Sequence, residues 1–178
     1  MSIGDILPDV LATNLKLVIC GSAVGAQSAR AGSYYAGRNN MFWQILHETG
    51  LTDRLLHTSE YHRLLDYGIG LTDAAKKAAG VDADINKSDY DAFTLVQKMT
   101  AYRPKIICFN GKKSAAALCS WQQARNCQTA EIDYGIYPYS IMQNGPTLFV
   151  APSTSAAAKR YWQPMYWHTL AALVKQLS

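Results

Sequence analysis

Four short apolar runs, each closed by a turn-forming or polar residue, set the rhythm of the chain. Leu15-Lys16-Leu17-Val18-Ile19-Cys20 is almost continuously apolar and stops at Gly21, as a buried strand does. The same reasoning predicts a short second strand over 69–72, a third over 105–109 and a fourth over 146–151. Between them the apolar spacing changes from continuous to helical. Residues 39–50 place Phe42, Ile45 and Leu46 on one helix face, and Gly50 can terminate that helix. Ser88-Asp89 can cap a helix through Lys98 with Phe93, Val96 and Met99 on its inner face, ended by Pro104. Another helix should follow Asn110-Gly111, and a last one should run from about Pro164 to Leu177 with Trp167, Leu170, Val174 and Leu177 apolar.

Strands that alternate with helices imply a three-layer α/β/α domain around a central, mainly parallel four-stranded sheet. The chain has 178 residues and shows no repeat, low-complexity stretch or linker, so a single domain over 1–178 is expected. In such sheets a ligand sits beyond the carboxyl ends of the strands, near a switch in strand order. The segments to read for chemistry are therefore 21–40, 72–77, 110–113 and 151–160.

Composition narrows the classes without choosing among them. Apolar residues make up 49% and charged residues 17%, which suits a folded domain rather than a disordered chain. The apolar runs are far too short to span a membrane, and Met1 to Asp5 show no basic start of a secretory leader, so a cytoplasmic protein is expected. Cys20, Cys108, Cys119 and Cys127 include no C-x-x-C pair, so no zinc ribbon, iron–sulfur cluster or other metal site is expected and reduced thiols are the simpler reading. The net charge of +4 gives modest support for an anionic partner.

The loops carry the candidate chemistry, and each has a bland reading beside the functional one. Gly21-Ser22-Ala23-Val24-Gly25 lets backbone approach a ligand closely, or simply turns; it is not a dinucleotide G-x-G-x-x-G. Tyr34 and Tyr35 either cap the core or offer a ring to a flat ligand, and Arg38 is either solvated or meets a phosphate. Asp73 can activate water or read a ring N–H, or cap the next helix. Asn110 can pair with a base edge or cap the helix that begins beside Lys112. Ser153, Thr154 and Ser155, followed by Lys159 and Arg160, suit phosphate contacts, although hydroxyls are common in loops.

Taken in order, these segments resemble the mismatch-specific uracil-DNA glycosylase and thymine-DNA glycosylase family. Gly21 to Gly25 looks like its Gly-Ile-Asn-Pro-Gly loop. Tyr35-Ala36-Gly37-Arg38-Asn39-Asn40-Met41-Phe42-Trp43 is similar to its aromatic, glycine/proline, Asn and Phe-Trp segment. Tyr67 to Asp73 matches a Tyr-Gly-Ile-Gly-Phe-Thr-Asn stretch, Phe109-Asn110-Gly111-Lys112 a Phe-Asn-Gly-Lys, and Pro152 to Ala156 a Pro-Ser-Ser-Ser-Ala loop. The resemblance implies a monomeric enzyme without a cofactor that flips a nucleotide out of DNA and hydrolyses its N-glycosidic bond in base excision repair. It implies that Tyr35 stacks on the base, that Ser22 and Ala23 frame the pocket, and that Asn110 reads the base or positions water. Ser153 and Ser155 would bind phosphates, with Lys112, Thr154, Lys159 and Arg160 beside them on the DNA.

Two departures from the family pattern matter. Its water-positioning Asn is Ala23 here, which leaves Asp73 as the carboxylate expected to serve catalysis. Its bulky or basic wedge falls among Ala156, Ala157 and Ala158, so Lys159, Arg160 or Tyr161 would have to replace it. Two alternatives stay open at this point: a DNA-binding member that has lost its chemistry, and a doubly wound enzyme for a small nucleotide.

Overall fold

The computed structural model describes residues 4–80 and 85–177. Its five strands are β1 (Leu17–Val24), β2 (Ile69–Ala79), β3 (Ile106–Asn110), β4 (Gly135–Tyr137) and β5 (Thr147–Ala151). They form one sheet in the order β2-β1-β3-β5-β4, parallel except for β4, which runs antiparallel to β5. The α/β/α expectation therefore holds with one more strand than foreseen. Gly135-Ile136-Tyr137 is three residues long and lies at the sheet edge, too short to stand out as an apolar run.

Helices cover both faces. Against one face lie α2 (Phe42–Glu48) and α5 (Met165–Lys175), which bury Phe42, Ile45, Leu46, Trp167 and Leu170 over Leu17, Ile19, Leu71 and Phe149. Against the other lie α3 (Ala92–Tyr102) and α4 (Lys112–Gln123), which bury Leu95, Met99, Ala115 and Leu118 over Val18, Cys20, Ile107 and Val150. A short helix, α1 (Ala26–Ala31), follows β1 directly.

Several expected boundaries move, each for a local reason. The segment from Gly21 does not turn: β1 continues to Val24 because β2 also continues, and Gly21 pairs with Asp73 and Ala23 with Ala75. The helix predicted from 39 begins at Phe42, whose N–H is taken by the Asn40 side chain at 3.0 Å. The helix predicted from Ser88 begins at Ala92, where Asp91 accepts from the Thr94 N–H at 2.9 Å. Its inward face is Ala92, Leu95 and Met99, packed on the sheet, and Phe93 is left 55% exposed, contrary to its predicted inner position. Leu177 likewise lies beyond the end of α5 and is exposed.

The thiol reading also needs correction. Cys20 and Cys108 are free and buried in the sheet, but Cys119 and Cys127 form a disulfide with their Cα atoms 6.0 Å apart. The chain leaving α4 at Ala124 turns through a left-handed residue and returns alongside the helix, which brings Cys127 back to Cys119. No helix among the described residues is long and apolar enough to cross a membrane.

Candidate functional site

The chain passes from β1 to β2 on one side and returns to β3 on the other, so strand order switches direction at β1. A crevice at the carboxyl ends of β1 and β3 is where such a sheet exposes backbone and loops together. Side chains alternate across a strand, so Gly21, Asp73, Asn110 and Ala151 continue the rows of Ile19, Leu71, Cys108 and Phe149. All four therefore lie at the top of the face covered by α2 and α5. Ser22, one residue on from Gly21, belongs to the opposite face and is buried. Strand alternation thus separates Ser22 from Asp73, and Ala23 returns to the site's face.

Gly21 is required by proximity rather than by a special backbone angle. A Cβ there would collide with Asp73 Oδ1 and lie 3.3 Å from the Tyr35 hydroxyl. Asp73 and Tyr35 therefore both approach β1 closely at Gly21. Tyr35 sits in a left-handed conformation, φ 53°, and its ring stacks on Phe42 with centroids 3.7 Å apart and planes at 18°. Phe42 therefore occupies one ring face of Tyr35. The Tyr35 hydroxyl and Asp73 Oδ2 are both buried without a hydrogen-bond partner. Such orphans are uncommon in folded proteins, and two beside one glycine mark a place that a ligand can complete.

Asp73 is only 4% exposed. Burial pushes its carboxyl up to about 6; Lys76 opposes this, the Asp9 carboxylate adds to it, and the Tyr34 hydroxyl and Lys98 favour the ionised form. Burial likewise raises the Tyr35 hydroxyl, helped by Asp73 and opposed by the Asn110 amide. A carboxyl in this range can exist in either protonation state near neutral pH, the condition that suits proton transfer.

Asn110 ends β3 and does not cap α4. Its amide N–H donates to Thr154 Oγ1 at 2.9 Å and its carbonyl accepts from the Thr154 N–H at 3.0 Å. This reciprocal pair ties β3 to the loop after β5, and the Thr154 carbonyl accepts in turn from the Met41 N–H. Thr154 is buried as a brace rather than displayed on the surface. Gly111, at φ 112°, lets Ser153 pack against the start of α4.

The remaining candidates lie in the loops and helix starts that follow β3 and β5. Ser153 Oγ accepts from the Ser155 N–H, and Ser155 Oγ accepts from the Ala157 N–H at the start of a 3-10 helix, Ala156–Tyr161. Lys159 and Arg160 are exposed on that helix, and the Arg160 guanidinium lies 4.6 Å from the centroid of the half-exposed Tyr161 ring. The Lys112 ammonium lies 4.6 Å from the centroid of Tyr134. Sequence reasoning missed Asp9 and the electrostatic part of Tyr34 and Lys76. Nothing in their spacing announces them, because Asp9 arrives from the N-terminal segment as it crosses the sheet edge, where Val10 bridges Leu71.

A buried carboxylate, a tyrosine stacked on Phe42 and a set of loop hydroxyls thus gather beyond the strand ends at the switch point of a doubly wound domain. The family model of the uracil DNA glycosylase superfamily matches residues 8–175, and the chain belongs to that superfamily. It is also similar to the solution NMR structure of a candidate uracil DNA glycosylase from Methanosarcina acetivorans. The match has 22% sequence identity and a TM-score of 0.61, covers 95% of this chain and 96% of that one, and shows the shared fold.

Proposed function

We propose that the protein is a monofunctional DNA glycosylase that accepts a flipped-out deaminated or mismatched base and hydrolyses its N-glycosidic bond. Superfamily membership supports the reaction class. The observation that carries the reading to this chain is Asp73, a buried carboxylate with one unpaired oxygen, packed like the Tyr35 hydroxyl close against Gly21. In the reaction a water oxygen bonds to the sugar C1′ while the C1′–N bond breaks and its electron pair leaves with the base. Asp73 accepts the water proton and stabilises the positive charge that develops on the sugar.

Tyr35 forms a wall of the base pocket, supported from behind by Phe42. Ala23 lines the entrance, and Ser22 supports it from the opposite face. Asn110, fixed by Thr154, offers its amide edge to a base. Ser153, Ser155, Lys112, Lys159 and Arg160 face the phosphates around the flipped nucleotide. A carboxylate in the pocket accepts from ring N–H groups, which suits uracil, hypoxanthine and xanthine, whereas a thymine opposite guanine adds a methyl group. Duplexes carrying each base test this reading; base release from at least one supports it and release from none contradicts it.

Ala23 favours one second reading, a lesion-binding protein without chemistry, since its side chain cannot hold water. That reading predicts salt-sensitive binding to damaged duplex without product. Ala23→Asn separates the two. Uracil release rising from nothing to a measurable rate identifies a pocket that lacked a water-holder, and release already present in the unaltered chain excludes the inactive reading.

A further inference from the structure

Among the described residues the cations in ion pairs are Arg54, Arg63, Lys76, Lys98 and Arg125, each set against a carboxylate. Lys112 is held differently. Its ammonium lies 4.6 Å from the centroid of the Tyr134 ring, and that ring meets Tyr166 with centroids 5.2 Å apart and planes at 52°. A ring face attracts an ammonium without neutralising it, so Lys112 keeps its charge for an anion. Arg160 repeats the arrangement over Tyr161 at 4.6 Å.

The sheet register brings these rings to the crevice. Gly135 of β4 pairs with Val150, so Tyr134, the residue before β4, comes level with Ala151, which pairs in turn with Asn110. Lys112 opens α4 one residue after Gly111, against which Ser153 packs. Tyr166 belongs to the first turn of α5 and its ring passes over Gly135, where an added Cβ would lie 3.9 Å from Cε1. Tyr134 packs partly on the core beneath α3 and α4, and Tyr166 on the core beneath α2 and α5. The two rings therefore meet around the edge of the sheet. Lys112, Tyr134 and Tyr166 are all half-buried, which restricts where the long lysine side chain can go. Ordering that is already present in the free protein is not lost again when a ligand binds.

We propose that Tyr134 and Tyr166 form an aromatic seat that holds the Lys112 ammonium against a phosphate of the DNA strand, on the β4 side of the crevice. The proposal rests on the reading of the protein as a DNA glycosylase. A phosphodiester is the occupant that fits, because the seat presents a cation with no carboxylate paired to it among the described residues. It also adjoins the Ser153 loop, which leads into the helix that carries the exposed Lys159 and Arg160. Tyr134 and Tyr166 are positioning residues, since they act through Lys112 and not on the base. The short edge strand β4 gains a purpose from this: it carries Tyr134 to the end of the sheet where the DNA lies.

The test measures binding of the full chain to a fluorescent duplex carrying a tetrahydrofuran abasic analogue, by anisotropy, between about 50 and 200 mM salt. Lys112→Met is expected to reduce the slope of log affinity against log salt by about one, the loss of one phosphate contact. Tyr134→Leu leaves every charge in place, yet it is expected to reduce the slope by a similar amount, whereas Tyr134→Phe keeps the ring and the wild-type slope. A residue that acts through Lys112 adds nothing once Lys112 is gone, so the double variant Lys112→Met/Tyr134→Leu should fall no further than Lys112→Met alone. Tyr166→Leu is the second variant should Tyr134→Leu not fold, and it too should lower the slope. A wild-type slope in the folded leucine variants or in Lys112→Met, or additive losses in the double variant, overturns the proposal. An unaltered chain that binds no duplex overturns the DNA reading itself, and the seat with it.

Discussion

Asp73 concentrates both the function and the cost of this fold. The folded chain holds its proton to about pH 6, whereas an unfolded chain releases it near 3.8, so folding takes up a proton between those values. Stability is untouched by this group below pH 3.8, falls as pH rises to about 6 and stays lower above it. Asp73→Asn keeps the shape and removes the buried charge, and it is expected to stabilise the protein at pH 7 by about 2–3 kcal/mol in urea unfolding. The same substitution should abolish base release, a trade-off expected of a strained functional group. Asp9 acts in the opposite direction. Burial alone would raise its carboxyl, but Lys98, Lys76 and Thr72 hold it below its ordinary value, so its contribution is present above pH 3.8 and lost on acidification. Gly21→Ala would drive a methyl group into Asp73 and against Tyr35, with an expected cost of about 1–3 kcal/mol in the same assay.

At the scale of elements, the 3-10 helix Ala156–Tyr161 and the end of α4 make separate predictions. Tyr161 projects from the 3-10 helix with Arg160 over its ring, a bulky and cationic pair beside three small alanines. If it fills the gap left by a flipped base, Tyr161→Ala should slow release from duplex about tenfold while leaving single-stranded substrate nearly unchanged, because a single strand has no stack to hold open. The Cys119–Cys127 bridge spans a sequence separation of 8, and its reduction is expected to cost about 2–3 kcal/mol. Thiol counting under denaturing conditions should find two free groups before reduction and four after it. These elements also show what the sequence could and could not reveal. Apolar runs located the buried strands β1, β3 and β5, since continuous burial leaves a continuous signal. They missed β4 and the outer halves of β1 and β2, where Gly, Ser and Ala pair in a ladder without an apolar signature. Asp73, Tyr35, Asn110 and Thr154 could be singled out because they fall where the apolar strand runs give out, although Asp73 and Asn110 prove to lie within β2 and β3. Asp9 could not, because only the tertiary crossing of the N-terminal segment brings it near Asp73.

For the whole molecule, the switch in strand order at β1 explains why residues from five separate segments meet at one end of the sheet. The cations at that end, Lys112, Lys159 and Arg160, belong to a chain of net charge +4, so affinity for DNA should fall steeply as salt rises while the choice among bases changes little. The central question is whether this buried carboxylate removes a base. The decisive measurement incubates wild-type protein and Asp73→Asn with duplexes carrying uracil, hypoxanthine, xanthine or a G·T mismatch, and counts abasic sites. Wild type is expected to release at least one of these bases, and the variant to do so about a hundredfold more slowly or not at all. No abasic product from any duplex, or equal rates for the two proteins, would contradict it.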